Sequence, residues 1–250
     1  MRMHILSGGR LRMRKRAYYP GADRSESIEL PVSCALIRHP QANILFDTGC
    51  SPRAVAETDT YWSHLSKVMT PIHAEDAIVL VELPKAGLTA EDIDLVVCSH
   101  LHTDHCGCNS FFRRATVVCS AEELTSAQSD TSGAYIAEDW EGSRPIETIA
   151  GQRDLLGDGR MTLIEAPGHT PGMLVAHVVL DTQTFVLASD AAPVRETLDQ
   201  RYAPKGTWNV DVALKSLDEI ARLERDGSKV IFGHDETQWR QIRTGAEFYE

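Results

Sequence analysis

The chain has 250 residues, of which 42% are hydrophobic, and this is enough apolar material for one large domain or two small ones. Its net charge of −11 and isoelectric point near 5.4 exclude a basic nucleic-acid-binding surface as the main function. No apolar run approaches the roughly 18 residues needed to cross a bilayer, and the segment 1–16 lacks the apolar core of a signal peptide. We therefore expect one α/β domain over residues 1–250, located in the cytoplasm, with neither a nucleic acid nor a membrane as partner.

The first segment contains the most basic run of the chain. Residues 3–7 predict a short strand, and Gly8-Gly9 predicts a turn before five cations in the seven residues from Arg10 to Arg16. This run indicates either a charged hairpin edge that discourages strand pairing, or one side of a mouth that receives an anionic or polar substrate. Both interpretations stay open at this point.

Two apolar runs, 32–38 and 43–46, predict a hairpin of buried strands. The second run ends at Asp47, within Phe-Asp-Thr-Gly. An aspartate there is either a turn former or the acceptor of a hydrogen bond from a metal-bound histidine. The segment 51–92 that follows predicts helix and loop. Within it, the apolar Trp62, Leu65 and Val68 of the excursion at 51–80 favour a homodimer contact.

The least probable stretch of the sequence is His100-Leu-His-Thr-Asp-His105, which directly follows an apolar strand predicted at residues 94–98. Such a cluster is not expected in an apolar core, because each buried polar side chain needs a hydrogen-bond partner. Imidazole and carboxylate groups together suit Zn²⁺, Mn²⁺ or Fe, and one tetrahedral ion rarely takes four ligands from six residues. The stretch therefore predicts a site for two metal ions.

The six cysteines do not predict a disulfide framework, because they are sparse and contain no CxxC pair. Free thiols are expected. Cys106 and Cys108 neighbour the histidine cluster, and we expect them to be sensitive to oxidation rather than to bind metal.

Two segments between the candidate ligands carry recognisable local signals. Ser120 to Glu123 predicts a capping box that starts a helix, and the periodicity of residues 210–224 predicts a cover helix. The polar segment 129–144 predicts a surface excursion, or a cover over a cleft or subunit contact.

Three further candidate ligands, His169, Asp190 and His234, each follow a predicted strand. Because α/β folds place their chemistry at the carboxyl ends of strands, these side chains are expected to meet the histidine cluster at one edge. Seven ligands suit two ions, and a carboxylate such as Asp190 is able to bridge them. The strands in question are predicted at residues 161–165, 184–188 and 229–232.

These motifs, in this order and over nearly the whole chain, resemble those of the metallo-β-lactamase superfamily. The resemblance implies an αβ/βα sandwich of the metallo-β-lactamase type that binds two divalent ions, zinc first, with Fe, Mn or Co as alternatives. It further implies one ion on His100, His102 and His169, a second on Asp104, His105 and His234, a bridging Asp190, and a supporting Asp47.

Within the superfamily, the chain is similar to the N-acyl-homoserine lactonases through Ser-Asp-Ala at 189–191 and the closing Gly-His-Asp at 233–235. The resemblance implies that a metal-bridging hydroxide opens a lactone ring, expected to be that of an N-acyl-homoserine lactone in quorum quenching. Asp104 and Asp190 are then the catalytic residues, with Asp104 passing a proton to the leaving oxygen.

One position departs from that group. Its members often carry a tyrosine three residues past the bridging aspartate, and Pro193 stands there in this chain. Another group such as Tyr202 or His177 then contacts the substrate, or metal polarisation suffices, or the substrate differs. A glyoxalase-II-like thioesterase or other small-ester hydrolase, an iron-dependent persulfide dioxygenase and a non-catalytic binding module stay open as alternatives.

Overall fold

The computed structural model describes residues 1–72, 78–141 and 146–250. Residues 73–77 belong to the excursion predicted at 51–80 and residues 142–144 to the one predicted at 129–144, so those two predictions lie partly outside the described residues. No described helix is long and apolar enough to cross a membrane. The cytoplasmic location stays a prediction.

The first sheet is mixed. Its seven strands lie in the spatial order 4-1-2-3-5-6-7. Strands β4, β1, β2 and β3 are antiparallel to their neighbours in this series. Strands β3, β5, β6 and β7 run parallel to one another. Their bounds are β1 (Arg2–Arg14), β2 (Ser27–Arg38), β3 (Asn43–Phe46), β4 (Met69–Ile72), β5 (Leu95–Val97), β6 (Thr116–Ser120) and β7 (Ile146–Ile149).

The second sheet has the order 12-11-10-9-8, with β11 and β12 parallel and the other neighbours antiparallel. Its strands are β8 (Arg153–Asp154), β9 (Met161–Glu165), β10 (Leu174–Val179), β11 (Thr184–Ser189) and β12 (Lys229–Phe232).

Most helices of the described residues are short, and α8 is the exception. Its buried stripe includes Leu217, Ile220 and Leu223, and the side chain of Asn209 caps its first turn by accepting from the Val212 N–H at 3.2 Å. The cover helix predicted from periodicity is confirmed. The helices are α1 (Arg53–Ala56), α2 (Thr58–Tyr61), α3 (Val79–Glu82), α4 (Thr103–Cys106), α5 (Ala121–Ser129), α6 (Ala137–Trp140), α7 (Arg195–Asp199), α8 (Val210–Arg225) and α9 (Glu236–Trp239).

The two sheets face each other across a shared apolar core. Ile5 and Phe46 of the first sheet belong to the same buried cluster as Leu163 and Phe185 of the second. Burying one such side chain contributes roughly 1.5–3 kcal/mol. The organisation as one domain over residues 1–250 stays a prediction.

Helices cover the outer face of each sheet. In β2, Ile37 points to the shared core while its neighbour Leu36 packs on the other face, in a cluster that includes Ala127 of α5. On the second sheet, Val186 packs outward in a cluster with Leu217 of α8. The layers are therefore helix, sheet, sheet and helix, which is the predicted αβ/βα sandwich.

The first strand is longer than the sequence predicts. β1 continues through Gly8-Gly9, where the sequence predicts a turn, and its pairing with β2 shifts register between Ser7 and Arg10. The physical reason is a close approach of two backbones, because a Cβ built on Gly8 would lie 2.7 Å from the Gly49 Cα. The glycines thus form an irregular, tightly packed strand rather than a turn.

Trp62 is buried inside the chain instead of lying on a free surface. It is 1% exposed, belongs to a cluster with Leu11 and Val32, and donates from Nε1 to Thr103 Oγ1 at 3.1 Å. The prediction that Trp62 provides a dimer contact is therefore wrong. The oligomeric state itself stays a prediction.

Candidate metal centre

The seven candidate ligands meet at one edge of the sandwich. Strands β5, β9, β11 and β12 end there, and the short helix α4 carries the last residues of the histidine cluster. Three groups have potential ligand atoms that all lie within 4.8 Å of one another: His100/His102/His169, His100/His105/Asp190 and Asp104/His105/His234.

Asp190 lies between the two sides of this cluster. Its Oδ2 is 3.4 Å from His169 Nε2, whereas its Oδ1 is 2.9 Å from His234 Nε2 and 3.5 Å from His105 Nε2. Its side chain is 5% exposed. The two oxygens of one buried carboxylate therefore face different groups of histidines.

Hydrogen bonds on the far side of the imidazole rings set their tautomers. His234 Nδ1 lies 2.8 Å from the Pro31 carbonyl oxygen and therefore donates, because a carbonyl only accepts. His105 Nδ1 donates to Asp47 Oδ2 at 2.9 Å. Their Nε2 lone pairs are consequently free to point into the cluster, which is the arrangement that metal-ligating histidines need.

Asp47 also anchors the loop that carries His100. Its Oδ1 accepts from the Ser99 N–H at 2.7 Å, and its Oδ2 accepts from Ser99 Oγ at 2.8 Å and Ser189 Oγ at 3.0 Å. Because the Ser99 hydroxyl proton is used in this way, its oxygen accepts from His100 Nδ1 at 3.0 Å. Asp47 thus accepts a hydrogen bond from a candidate ligand, as the second interpretation of this residue requires, and its support of a metal site stays a prediction.

The potential ligand atoms have the spacing that two ligands of one metal ion have. His102 Nδ1 and His169 Nε2 are 3.1 Å apart, and His105 Nε2 and His234 Nε2 are 3.3 Å apart. Two nitrogens bound at 2.0–2.1 Å to a tetrahedral ion stand about 3.3 Å apart. The buried His100 Nε2 has no hydrogen-bond partner within the described ranges. The residues fit a two-metal site.

Burial and charge divide the histidines into two kinds. Burial lowers the pKa of His100 and lowers that of His169 to about 4, so both rings are neutral at pH 7, as ligands must be. Burial also acts to lower the pKa of His105, but the Asp104 and Asp190 carboxylates outweigh it and raise that pKa. The carboxylate side of the cluster thus attracts positive charge, from protons or from a cation.

Glu123 is a functional candidate that sequence reasoning missed. The predicted capping box is half formed, because Ser120 Oγ accepts from the Glu123 N–H while the Glu123 carboxylate points elsewhere. Its Oε1 accepts from the Leu101 N–H at 3.0 Å and its Oε2 from the Gly172 N–H at 3.1 Å. One buried carboxylate thereby ties the His100–His105 loop to the loop that carries His169.

The close approach of these loops explains why glycine stands at position 172. A Cβ there would lie 2.1 Å from the Glu123 backbone nitrogen, which no side chain tolerates. The Ser–x–x–Glu pattern at the start of a helix predicts a capping box, and nothing in the local sequence distinguishes that cap from a bridge between loops.

The cluster opens into a cavity of about 780 Å³. His102, Asp104, His169 and Asp190 line it together with Tyr18, which comes from the turn after β1. The Tyr18 ring stacks on His234 with centroids 5.6 Å apart. Burial, followed by the Asp190 and Asp104 carboxylates, raises the pKa of Tyr18, so its phenol keeps a proton to donate.

Neither residue suggested as a replacement at the Pro193 position lines this cavity. His177 lies on β10, where its Nε2 is 3.2 Å from Ser228 Oγ. Tyr202 donates from its hydroxyl to the carbonyl oxygen of Tyr18 and so supports the residue that does line it. Pro193 itself accepts from the His234 N–H at 2.8 Å. Both suggestions are wrong, and Tyr18 is the tyrosine among the residues that line this cavity.

The cysteines near the cluster are sequestered. All six are free thiols, as expected, and all are buried. Cys106 and Cys108 are fully buried, and burial raises the pKa of each thiol. Because the reactive thiolate is both disfavoured and inaccessible, the expectation that these two are sensitive to oxidation is wrong.

The excursion predicted at 129–144 contributes a ring to the site. Tyr135 packs on His102 with centroids 4.9 Å apart, and it hydrogen-bonds Glu123, while Trp140 is buried in the outer core. Tyr135 thus contacts a candidate ligand but is not among the residues that line the cavity, so the interpretation as a cover over a cleft stays a prediction.

The fold and the His/Asp clusters define a metal-dependent hydrolase of the metallo-β-lactamase class. Residues 28–241 match the family model described as the metallo-beta-lactamase superfamily, and the chain belongs to that superfamily.

Within it, the chain is similar to N-acyl homoserine lactonases. It is 31% identical to AiiB of Agrobacterium fabrum, over 90% of this chain and 87% of that protein. It is 26% identical to AttM of Azorhizobium caulinodans, over 100% of this chain and 99% of that protein. Its fold matches, with a TM-score of 0.89, an N-acyl homoserine lactone hydrolase solved with N-hexanoyl-L-homoserine at its catalytic metal centre; the two are 22% identical, over 99% of this chain and 98% of that one.

Proposed function

We propose that this protein opens the lactone ring of N-acyl-homoserine lactones with two divalent metal ions, zinc being the first expectation. The observation that carries the proposal is the position of Asp190, whose two oxygens face the two groups of histidines. The full-length relatives named as N-acyl homoserine lactonases support the choice of substrate.

The seven side chains divide the work of holding the ions. His100, His102 and His169 would hold one ion, Asp104, His105 and His234 the other, and Asp190 both. When bound, two such ions supply Lewis-acid polarisation of a carbonyl oxygen and lower the pKa of water toward neutrality. Asp47 would keep the His105 ring in its ligating tautomer throughout.

Two side chains would act on the substrate itself. Asp104 lines the cavity and lies 3.6 Å from His105 Nε2, and it would pass a proton to the oxygen that leaves when the ring opens. Tyr18 keeps its proton at neutral pH and would donate a hydrogen bond to a ring or carbonyl oxygen of the lactone. Tyr18, from the N-terminal segment, would thus supply the phenol that related lactonases often carry at the position of Pro193.

Acid release during ring opening of N-hexanoyl-homoserine lactone tests the proposal. We expect turnover in metal-loaded protein, loss of more than about 100-fold after chelation, recovery on adding metal back, and a similar loss in Asp190→Asn. Asp158→Asn is the matched control, because Asp158 also pairs with a histidine, His39 at 2.7 Å, away from the cavity.

Turnover that is insensitive to chelation would overturn the proposal. So would metal-loaded protein that leaves the lactone intact while it hydrolyses S-lactoylglutathione or consumes oxygen with a persulfide. The last two outcomes would assign the same ligands to a thioesterase or a dioxygenase.

A further inference from the structure

The cavity in front of the candidate metal centre carries a charge opposite to that of the molecule. The chain has 25 cations against 36 acidic residues. Five cations nevertheless line this one cavity, and its only acidic lining residues are the candidate ligands Asp104 and Asp190. The cations are Arg14, Arg16, Arg24, Lys67 and Lys205.

The basic run at 10–16 splits into two sets. Arg10 pairs with Glu236 at 2.6 Å, Arg12 with Glu29 at 2.6 Å and Lys15 with Glu26 at 2.8 Å. Arg14 and Arg16 instead line the cavity. Both interpretations of the run therefore apply, each to different residues.

Within residues 1–72, 78–141 and 146–250, the five cations of the cavity have no carboxylate as an ion-pair partner. Arg14 donates to the Ser25 carbonyl oxygen at 3.2 Å, and none of the five forms an ion pair with a residue in the described parts of the chain. Cations that converge on one concave surface without counter-charges raise the local concentration of anions and favour their binding.

The rim is held in place by contacts between its segments. The Lys205 N–H donates to the Ala17 carbonyl oxygen at 3.1 Å, and the Tyr202 hydroxyl donates to that of Tyr18. Apolar side chains, among them Met13 and Val68, line the same cavity beside the cations. The cavity thus combines apolar side chains and positive charges with the candidate ligands, which fits a substrate arm that has both an alkyl part and an anionic group.

We infer that the preferred substrates are lactones whose side arm carries a negative charge, such as a carboxylate, rather than the neutral N-alkanoyl lactones. This inference rests on the proposed lactonase function and narrows its substrate class. Each cation would contribute a modest, salt-sensitive attraction to an anion at the rim.

Two isosteric lactones test the inference directly. N-glutaryl-homoserine lactone ends in a carboxylate, and N-(5-methylhexanoyl)-homoserine lactone places an isopropyl group of the same shape there. We expect kcat/KM to favour the glutaryl compound by about tenfold at low salt, and the preference to shrink as ionic strength rises, because the rim is solvent-exposed.

Charge-removing variants locate the effect. In the triple variant Arg16→Gln/Arg24→Gln/Lys205→Gln, the ratio of kcat/KM for the glutaryl lactone to kcat/KM for the methylhexanoyl lactone should fall toward one. Arg113→Gln/Arg114→Gln/Lys215→Gln removes the same net charge from exposed positions outside the cavity and should keep the preference. Equal rates for the two lactones in the wild type, or an unchanged preference in the cavity variant, would overturn the inference.

Binding of the corresponding lactams, whose amide ring resists opening, separates the two proposals. Tighter calorimetric binding of the glutaryl lactam supports an anion-selective cavity even where neither lactone is hydrolysed, in which case only the lactonase proposal fails. Equal binding of both lactams, together with turnover of both lactones, leaves the lactonase proposal intact and rejects the anionic substrate.

Discussion

At the scale of single residues, Asp47 shows how one carboxylate organises several groups. It stands directly after β3 with a φ of 59°, a left-handed conformation that aspartate tolerates better than most residues. That turn aims both oxygens at Ser99, His105 and Ser189, so four hydrogen bonds converge on one side chain. The cost of the unusual backbone is offset by this network, which orients the candidate ligands.

Asp47→Asn should therefore weaken metal binding about 10- to 100-fold while the fold is kept, because the amide no longer stabilises the His105 ring as an anion does. Competition with a chromogenic chelator measures the affinity, and far-ultraviolet circular dichroism checks the fold. Asp158→Asn again serves as the control. An affinity within twofold of the wild type would show that the charge of Asp47 is dispensable.

Tyr18 provides a second prediction at this scale. Tyr18→Phe removes the phenol hydroxyl but keeps the ring that stacks on His234, so we expect metal content to stay constant and kcat/KM for lactone opening to fall about tenfold. Tyr19→Phe, beside it in sequence but outside the cavity, should change neither quantity. An equal loss of bound metal would assign Tyr18 a structural function instead.

At the scale of elements, helix α5 joins the two halves of the candidate site. Glu123 is the buried residue of its first turn, and its carboxylate reaches both ligand-bearing loops. The helix is only nine residues long, so its place depends on these contacts and on packing rather than on intrinsic helix stability. One side chain of this helix thus helps to hold the two loops together.

Glu123→Gln should lower the free energy of unfolding by about 1–3 kcal/mol, since one amide oxygen cannot accept from both backbone N–H groups and its NH₂ faces a donor. Urea unfolding of metal-free protein measures this, and chelator competition should show weaker metal binding in parallel. Glu122→Gln, exposed on the same helix, is the control. Unchanged stability and unchanged metal affinity together would contradict the bridging function.

At the scale of the whole molecule, the candidate metal centre lies where the two sheets meet. The His100–His105 loop follows β5 of the first sheet, whereas His169, Asp190 and His234 follow strands of the second. Both candidate ligand sets draw on both sheets. Bound ions would therefore link the two halves of the sandwich as well as serve the reaction.

Removal of the metal should accordingly lower the stability of the entire chain. A ligand at 100 times its Kd that binds only folded protein adds about 2.7 kcal/mol, which for a chain of this size corresponds to roughly 5–10 °C in Tm. Calorimetry of chelated and zinc-reloaded protein checks this, with Asp190→Asn/His234→Ala expected to lose most of the shift. The same Tm in both states of the wild type would contradict a metal that joins the sheets.

Much of this architecture is readable from local pattern. The strands β9 and β12, the helix α8 and the candidate ligands at strand ends are predicted from apolar runs, periodicity and residue type, because these signals reside in neighbouring residues. The long first strand is not, since the glycine pair that breaks its pattern is explained by Gly49, far along the chain.

The sequence by itself determined which residues are available as ligands, in what order they occur, and that each follows a strand. Only the tertiary structure decided that Glu123 bridges two loops instead of closing a cap, that Tyr18 rather than Tyr202 faces the site, and that some arginines of the basic run are paired while others face the cavity. The physical reason is the same in each case. These outcomes depend on contacts between segments remote in sequence, which exist only once the two sheets have packed on each other.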